Sequence, residues 1–293
     1  MPQSAITSPQ AVSLAPDGTL EWSKSPDLLD LTIMSVTKAF TAYYALQNGM
    51  ITDLDAARTF VGSTPSPTVL GDDDVCTVRD IYHAAMLPSQ NGAADNIAYA
   101  ALDIPGHASF LGPFMNDLEA WYASEFGWGG FQLNTPSGLD TNIVSAKMIG
   151  ELFRAIHLNQ PDLQDIMLIY PTSVTSVTGP NARTVTFTNN TNMFDVPEWR
   201  GSKGGSGSGT YAMGTFWEDP DNGIHTIGII GAPSAETRRA DIITIIADLV
   251  SEEPPPPPPP PPPTEENRFI VYGGVPVPVI TSIIKDGVPR LVN

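Results

Sequence analysis

The stretch Ser35-Val36-Thr37-Lys38 places a serine and a lysine three residues apart at the start of a segment with helical periodicity. The segment continues to Leu46 and ends at Asn48-Gly49, a pair that favours the left-handed conformation of a helix C-terminus. Residues at i and i+3 share a helix face, so the two side chains can touch. A lysine whose pKa is lowered by burial or by a neighbouring cation can accept the serine proton. The spacing predicts an activated serine, with the Ser35 amide at the helix N-terminus available to an oxyanion.

The spacing of Ser35 and Lys38 can also occur without any catalytic role. The pattern S-x-x-K arises by chance in many chains, wherever a surface lysine lies one turn from a helical serine. The pattern needs other motifs in the expected order before it can indicate catalysis.

A second motif, Ser89-Gln90-Asn91, follows Leu87-Pro88 at a predicted helix break. At such a break the backbone can present side chains to a cleft. There Ser89 could pass a proton to a leaving amine, and Asn91 could hydrogen-bond a peptide amide. Turn formation alone also accounts for proline, serine and asparagine in this order.

A third motif, Lys203-Gly204-Gly205-Ser206, opens a strand-like segment near the end of the folded region. A lysine at the start of an inner strand can face an anionic substrate terminus, and the Ser206 N–H can serve as a second oxyanion donor. The alternative is a flexible loop, because residues 201–209 have the composition of a linker. The order G-x-x-x-x-G-K-[ST] is absent from the sequence, which excludes a P-loop.

The composition and charge of the chain limit the classes of molecule that it can bind. The 293 residues carry a formal net charge of −18, which argues against nucleic acid and against insertion into an anionic membrane. No apolar run approaches the roughly 20 residues that span a bilayer, and the first ten residues lack the features of a secretory signal. Cys76 is the single cysteine, so we expect no disulfide, no cysteine-based metal site and a buried thiol.

The pattern of predicted elements indicates an α+β unit. Helical signals occur at 35–46, 77–87, 93–102, 114–126, 145–157 and 235–250. Strand signals occur near 12–14, 19–22, 211–217 and 225–230. Because a short turn joins the last two strands, we expect an antiparallel sheet flanked by helices, with a further part that is entirely helical.

A run of ten prolines, Pro254 to Pro263, separates this unit from a short C-terminal segment. Such a run forms a stiff polyproline II rod, which serves as a spacer or presents PxxP faces to aromatic grooves. We therefore divide the chain into a domain at 1–252, a linker at 253–264, and a short β-rich tail at 265–293. The tail is expected to dock onto a partner or to oligomerise.

Taken together and in this order, the three motifs resemble those of the serine D-Ala-D-Ala carboxypeptidases. These low-mass penicillin-binding proteins share a fold with the class A β-lactamases. The resemblance runs roughly from Leu14 to Val250. It also includes Phe114-Met115-Asn116, the stretch Asn134-Thr135-Pro136-Ser137-Gly138-Leu139-Asp140, and Gly231-Ala232-Pro233-Ser234 followed by Arg238.

The resemblance implies a role for each motif residue. Ser35 would be the acylated nucleophile, Lys38 its base and Ser89 a proton relay. On the substrate side, Asn91 would bind the peptide amide and Lys203 the terminal D-Ala carboxylate, with Gly205 and Ser206 completing the substrate-binding set. The implied reaction is acylation by a peptidoglycan stem peptide, loss of D-Ala and hydrolysis, without a metal or cofactor.

Gly204 departs from the family pattern. The family has threonine at this position of Lys-Thr-Gly, and its hydroxyl helps to bind the substrate carboxylate. Ser206 or Ser208 would have to replace it. Losing one hydrogen bond to a charged group costs about 1.5–3 kcal/mol, so we expect slower D-Ala release with acylation less affected. We also expect Gly204→Thr to speed D-Ala release about tenfold.

Two hypotheses about function follow. A proline rod and a β-rich tail, without a signal peptide or anchor, resemble minor tail proteins of actinobacterial phages. The first hypothesis is a virion-borne serine DD-peptidase acting at the bacterial cell wall, with residues 265–293 contacting other tail proteins or a second copy. The second is a catalytically weak tail adhesin that kept the fold. A recombinant product trimmed of its signal would also explain the N-terminus.

Overall fold

The computed structural model describes residues 5–62, 69–104, 111–207 and 209–251, and the backbone alone at 269–272 and 275–278. The strands are Gln10–Leu14 (β1), Leu20–Lys24 (β2), Ala57–Thr59 (β3), Val75–Thr77 (β4), Thr172–Val177 (β5), Arg183–Thr188 (β6), Trp199–Gly207 (β7), Thr210–Asp219 (β8), Gly223–Ala232 (β9), Phe269–Tyr272 (β10) and Val275–Pro278 (β11). The α-helices are Thr37–Gln47 (α1), Val78–Met86 (α2), Asn91–Ala101 (α3), Leu111–Phe126 (α4), Ala146–Asn159 (α5), Pro161–Leu168 (α6) and Ala235–Val250 (α7).

Five antiparallel strands form the main sheet, in the order β2-β1-β9-β8-β7. Successive strand residues point to opposite faces, so the sheet contributes to two hydrophobic layers. Val12 and Phe216 belong to the larger layer, whereas Ala11 and Met213 pack in a second layer with α7 residues such as Ile242. The sheet is therefore covered by helices on both faces.

Helix α5 lies directly on one face of the sheet. A β-carbon at Gly214 would overlap the ring of Phe153, and one at Gly228 would overlap the carbonyl oxygen of Ala146. Glycines at these positions thus let the helix approach the strand backbone closely. The N-terminus of α5 is capped by Ser145, whose hydroxyl accepts a hydrogen bond from the Met148 amide, as the sequence predicts.

The larger layer contains the predominantly helical part of the domain. Helices α1 to α4 share its hydrophobic core with α5 and α6. At its centre the ring of Tyr122 stacks on Trp128 with 5.2 Å between centroids, and it meets Phe40 of α1 edge-on. The Tyr122 hydroxyl donates to the carbonyl of Phe40 at 2.8 Å. This packing fixes the position of α1, and with it the serine motif.

The predicted fold class is confirmed: an antiparallel sheet flanked by helices, with a helical part beside it. Cys76 is buried as expected. Helix α6 and strands β3 to β6 were not anticipated from the sequence. One expectation about the third motif is wrong: Lys203 lies in the middle of β7, and β7 is an edge strand of the sheet rather than an inner one.

The chain divides into two compact units, Met1–Glu252 and Glu253–Asn293. In the second unit, β10 and β11 pair antiparallel. The predicted polyproline rod lies outside the described residues. Among the helices that the structure describes, none has the length and apolar character needed to cross a membrane.

Candidate active site

Ser35 lies in a single 3-10 turn, Met34–Val36, that leads directly into α1. The Lys38 amine is one helical turn away and lies 2.6 Å from Ser35 Oγ. The same nitrogen donates to Asn91 Oδ1 at 2.7 Å and to the Ser137 carbonyl oxygen at 2.7 Å. Lys38 is fully buried. The first two motifs are thus joined by one amine that contacts the candidate nucleophile.

The loop of residues 134–142 supports the serine turn. Thr37 Oγ1 donates to the Met34 carbonyl at 2.8 Å and accepts from Asn142 Nδ2 at 2.9 Å. Met34 itself has φ of 50°, a conformation that non-glycine residues seldom adopt. At Gly138 a β-carbon would overlap the Met34 carbonyl oxygen. The conformation of the residue before Ser35 is therefore held by hydrogen bonds and by close packing from this loop.

The second and third motifs meet on the other side of the site. Lys203 Nζ donates to Ser89 Oγ at 2.8 Å and to the carbonyl of Gly204 at 2.8 Å. Ser89 has φ of 64°, so it is, after Met34, a second residue of this site in the left-handed region. Lys203 is only 1% exposed. The predicted relay serine is therefore in direct contact with the predicted carboxylate anchor.

Gly205 lets β7 approach the serine turn. A β-carbon there would overlap the Ile33 carbonyl oxygen and lie 2.9 Å from the Ser35 amide nitrogen. Any larger residue would separate the edge strand from the nucleophile. Ser206 follows on the same strand, pairs with Tyr211, and is exposed at the edge of the cavity. Ser208, the other candidate substitute for the missing hydroxyl, lies outside the described residues.

Three buried basic groups, Lys38, Lys203 and Arg238, set the electrostatics of the site. Burial, and next the charge of Lys203, holds the pKa of Lys38 well below its ordinary value, although Asp95 acts in the opposite direction. Burial, and next the charge of Arg238, lowers the pKa of Lys203 to about 7. Burial lowers the pKa of Arg238 to about 10, against the opposing effects of Tyr211 and Glu236. With a pKa of about 10, Arg238 stays charged at neutral pH, and the lowered pKa of Lys38 favours its neutral, basic form.

A cavity of about 360 Å³ joins the motifs. It is lined by the predicted residues Ser35, Ser89, Asn91, Gly205 and Ser206, and also by Pro88, Asn190, Thr191, Gly204, Tyr211, Ala235 and Arg238. Lys38 and Lys203 reach it through their contacts with Ser35 and Ser89. The structure therefore brings all the candidate residues to one cavity.

Several residues of the cavity were not identified as functional from the sequence. Arg238 was part of the family resemblance but carried no predicted role, and Tyr211, Asn190 and Thr191 carried none either. An arginine near the N-terminus of a helix that follows a strand is a weak signal, because only the packing of α7 on β8 places it in the cavity. Within the described residues, no group of three or more His, Cys, Asp or Glu side chains is placed to hold a metal ion.

Comparison with known proteins places this geometry in a known fold. A mutant of the Streptomyces K15 DD-transpeptidase superposes with a TM-score of 0.71 at 20% identity, covering 84% of this chain and 98% of that one. Penicillin-binding protein D2 of Listeria monocytogenes, solved with bound ampicillin, gives 0.70 at 17% identity with the same coverage. The chain has the DD-peptidase fold. A penicillin-binding protein homologue of Mycobacterium tuberculosis is similar at 0.68 and 16% identity, covering 84% and 94%.

Comparison of sequences alone does not identify this fold. No protein-family profile matches the chain, and no curated protein matches it. The DD-peptidase fold is thus retained where overall similarity has fallen to 20% identity or less in these structures. The roles predicted for the motif residues stay predictions, now with a defined geometry.

Proposed function

We propose that this chain is a serine DD-peptidase that acts on peptidoglycan stem peptides. The observation that carries the proposal is the contact between Lys38 Nζ and Ser35 Oγ inside a cavity that is lined by the other two motifs. A buried amine with a lowered pKa beside a serine hydroxyl is the arrangement that nucleophilic catalysis requires. The fold adds support, because the similar solved structures include a DD-transpeptidase and a penicillin-binding protein with bound ampicillin.

In the proposed acylation, Lys38 accepts the Ser35 proton as Oγ attacks the carbonyl carbon of the penultimate D-Ala. The developing oxyanion faces the Ser35 amide, which the side-chain-free Gly205 leaves accessible. The C–N bond then breaks as the proton that Lys38 accepted passes by way of Ser89, which Lys203 holds by a hydrogen bond, to the leaving D-Ala nitrogen. Attack by water on the ester releases the shortened peptide and restores Ser35.

In this proposal Asn91 binds the peptide chain. Its Oδ1 atom already accepts from Lys38, so its amide nitrogen is the group left to donate. Because Asn91 lines the cavity, that donor can meet a backbone carbonyl of the substrate. Asn91 would thus orient the substrate and the base together.

Covalent labelling tests the proposal. Incubation with a fluorescent penicillin, followed by intact-mass and peptide-mass analysis, should show one adduct on Ser35. Ser35→Ala should abolish the adduct while Tm stays nearly unchanged, because a hydroxyl at a helix start contributes about 1 kcal/mol at most as a cap. Ser124→Ala, at an exposed position of α4, is the matched control and should label normally. Labelling that persists in Ser35→Ala removes Ser35 as the nucleophile.

A weak cell-wall adhesin is the second candidate, and Gly204 is the observation that favours it. If the missing threonine hydroxyl is not replaced, a stem peptide would bind without efficient cleavage. Release of D-Ala from a pentapeptide analogue separates the two candidates. Release that depends on Ser35 supports the peptidase, whereas binding of the peptide without release supports the adhesin.

We also propose that the chain is carried on a phage tail and acts there at the host cell wall. The support is the sequence after residue 252, in which a proline run precedes a short segment rich in valine and isoleucine. Residues 265–293 would bind other tail proteins or a second copy. Peptide mass analysis of purified virions that carry the coding sequence tests this proposal, and absence of the chain from intact particles would contradict it.

A further inference from the structure

The β5–β6 hairpin presents a row of uncharged side chains to solvent. Alternate residues of a strand point to the same face, and the antiparallel register places three residues of β5 opposite three of β6. These exposed pairs, which form the hairpin face, are Thr172 with Thr188, Val174 with Thr186, and Ser176 with Thr184. Five of the six side chains carry a hydroxyl group, and none carries a charge. The hairpin face is about 14 Å long, at ~3.4 Å per residue.

The opposite face of the hairpin fixes it to the domain. Val177, Val185 and Phe187 are buried in the larger hydrophobic layer. Ser173 Oγ lies 3.2 Å from Nδ1 of His83 on α2. On the hairpin face itself, threonine and valine have few accessible χ1 rotamers. The exposed hydroxyl rows are therefore rigid, and they lose little conformational entropy when a ligand binds.

One end of the hairpin lies at the cavity that contains Ser35. Beyond the last strand pair, the Asn189 N–H donates to the Pro171 carbonyl oxygen at 3.0 Å, which brings the two chain segments together for one more step. The next residue, Asn190, lines the cavity. The hairpin face thus leads away from the candidate active site without a break in the described chain.

Two apolar side chains accompany the hydroxyl groups. Val174 lies in the middle of the hairpin face and is 60% exposed. Tyr170, just before β5, is 56% exposed, and its ring stacks on Phe194 with 3.6 Å between centroids. A fixed aromatic ring and exposed methyl groups can contact the C–H face of a sugar ring, while neighbouring hydroxyl groups donate to and accept from its polar substituents.

The lack of charge indicates which part of peptidoglycan this surface fits. The carboxylates of a stem peptide would lose water here without a charged partner. Anionic wall polymers are repelled by a chain with a net charge of −18. The glycan strand is neutral, because the lactyl carboxyl group of its sugars is used in the amide bond to the stem peptide. Its hydroxyl and acetamido groups match the rows of threonine hydroxyls.

We propose that the hairpin face binds the glycan strand to which the stem peptide is attached. The inference rests on the proposed function for the identity of the polymer. A stem peptide that enters the cavity brings its own glycan strand to the neighbouring surface, where the hairpin face begins. The hairpin face would then favour stem peptides in the polymeric wall over free peptides.

Binding of a neutral sugar oligomer tests the inference. The probe is the β-1,4-linked hexamer of N-acetylglucosamine, which has the acetamido and hydroxyl groups of the strand and no free carboxyl group. In an NMR titration of the full chain, the hexamer should give saturable shifts at the hairpin face and at Tyr170. Val174→Glu should weaken binding at least roughly tenfold, because the carboxylate would be covered by a sugar that cannot neutralise it.

Leu20→Glu is the matched control. Leu20 is 48% exposed on β2, at the edge of the main sheet opposite β7, and the substitution makes the same change from an apolar to an acidic side chain. Its Kd for the hexamer should equal that of the wild type. Tyr170→Ala should weaken binding, whereas Tyr170→Phe, which keeps the ring, should not. Thermal unfolding checks each variant, and Thr186→Lys serves if Val174→Glu does not fold.

The outcomes separate this inference from the proposed function. If penicillin labels Ser35 but the hexamer does not bind, or binds Val174→Glu as well as the wild type, the glycan inference is wrong and the peptidase proposal stands. If the hexamer binds through the hairpin face but penicillin never labels Ser35, the glycan inference stands and the peptidase proposal fails. A dimer in analytical ultracentrifugation that Val174→Glu dissociates would assign the hairpin face to a second copy and overturn the glycan inference.

Discussion

The carbonyl oxygen of Ser137 lies 2.7 Å from Lys38 Nζ and restricts how that amine can use its hydrogen atoms. A carbonyl can only accept, and Asn91 Oδ1, the second neighbour of the amine, can only accept as well. A neutral amine has two N–H groups and one lone pair. If both N–H groups point to these acceptors, the lone pair points to the third neighbour, Ser35 Oγ. The two acceptors thus orient Lys38 as a base toward the serine.

Replacing Lys38 should therefore remove the base. Lys38→Met keeps a long, unbranched side chain but has no amine that can take the Ser35 proton. We expect the second-order rate constant for penicillin acylation to fall by roughly 100-fold or more, the usual contribution of a general base. Stopped-flow acylation or timed gel labelling measures the change.

Lys147→Met is the control for this variant, because Lys147 lies on α5 with its side chain 44% exposed. Its acylation rate should match that of the wild type. An unchanged rate in Lys38→Met would show that another group accepts the serine proton.

The two buried lysines of the site predict a bell-shaped pH dependence. Acylation requires neutral Lys38, so the rate constant should rise with pH as the Lys38 proton is lost. It also requires charged Lys203 as a carboxylate anchor, so it should fall as pH rises through about 7, the pKa of Lys203. Measuring kcat/KM for acylation across the range from acidic to alkaline pH gives both limbs.

After burial, the charge of Arg238 is the second cause of the lowered pKa of Lys203 and so helps to set the pH of the falling limb. Its positive charge disfavours the protonated form of Lys203, so removing the charge in Arg238→Gln should raise the pKa of Lys203. The falling limb should then move to higher pH, even though the rate constant itself is lower. The control variant Arg239→Gln should leave the pH of the falling limb unchanged, because Arg239 does not contribute to the lowered pKa of Lys203. A limb that does not move in Arg238→Gln would have to be assigned to a group other than Lys203.

Much of the fold and of the site could be predicted because the signals are local. Helical periodicity and capping residues such as Ser145 mark the helices within a few residues of their bounds. The three motifs occur as short runs in order along the chain. The short strands β3 and β4 were missed because three residues give too little alternation to identify.

The rest of the site depends on contacts between distant segments. The Ser137 carbonyl that orients Lys38 is a backbone group, and no residue type reports where a carbonyl points. Arg238 lies beside Gly204 only because α7 packs on the sheet, and neither residue's local sequence indicates that contact. Lys203 was wrongly predicted on an inner strand, because the sequence of one strand does not show which other strands it pairs with.

Gly138 gives a test of the loop that supports the nucleophile. Its φ is +81°, and a β-carbon would overlap the Met34 carbonyl oxygen, the atom that also accepts from Thr37 Oγ1. Gly138→Ala should push the serine turn away from the loop and disturb the contact between Lys38 and Ser137. We expect penicillin acylation to fall at least roughly tenfold, because the geometry of nucleophile and base is lost with small displacements.

A control must separate this displacement from the ordinary cost of alanine at positive φ. Gly49 has φ of +63° at the end of α1, and no described atom lies within 4 Å of a β-carbon built there. Gly49→Ala should thus have a similar backbone cost of about 1 kcal/mol, seen as a lower Tm, with normal acylation. Gly138→Ala should lose acylation well beyond what its own change in Tm explains at a temperature where both variants are folded. If the two variants acylate alike, the loop at 134–142 does not position Ser35, and the left-handed conformation of Met34 is maintained by the serine turn itself.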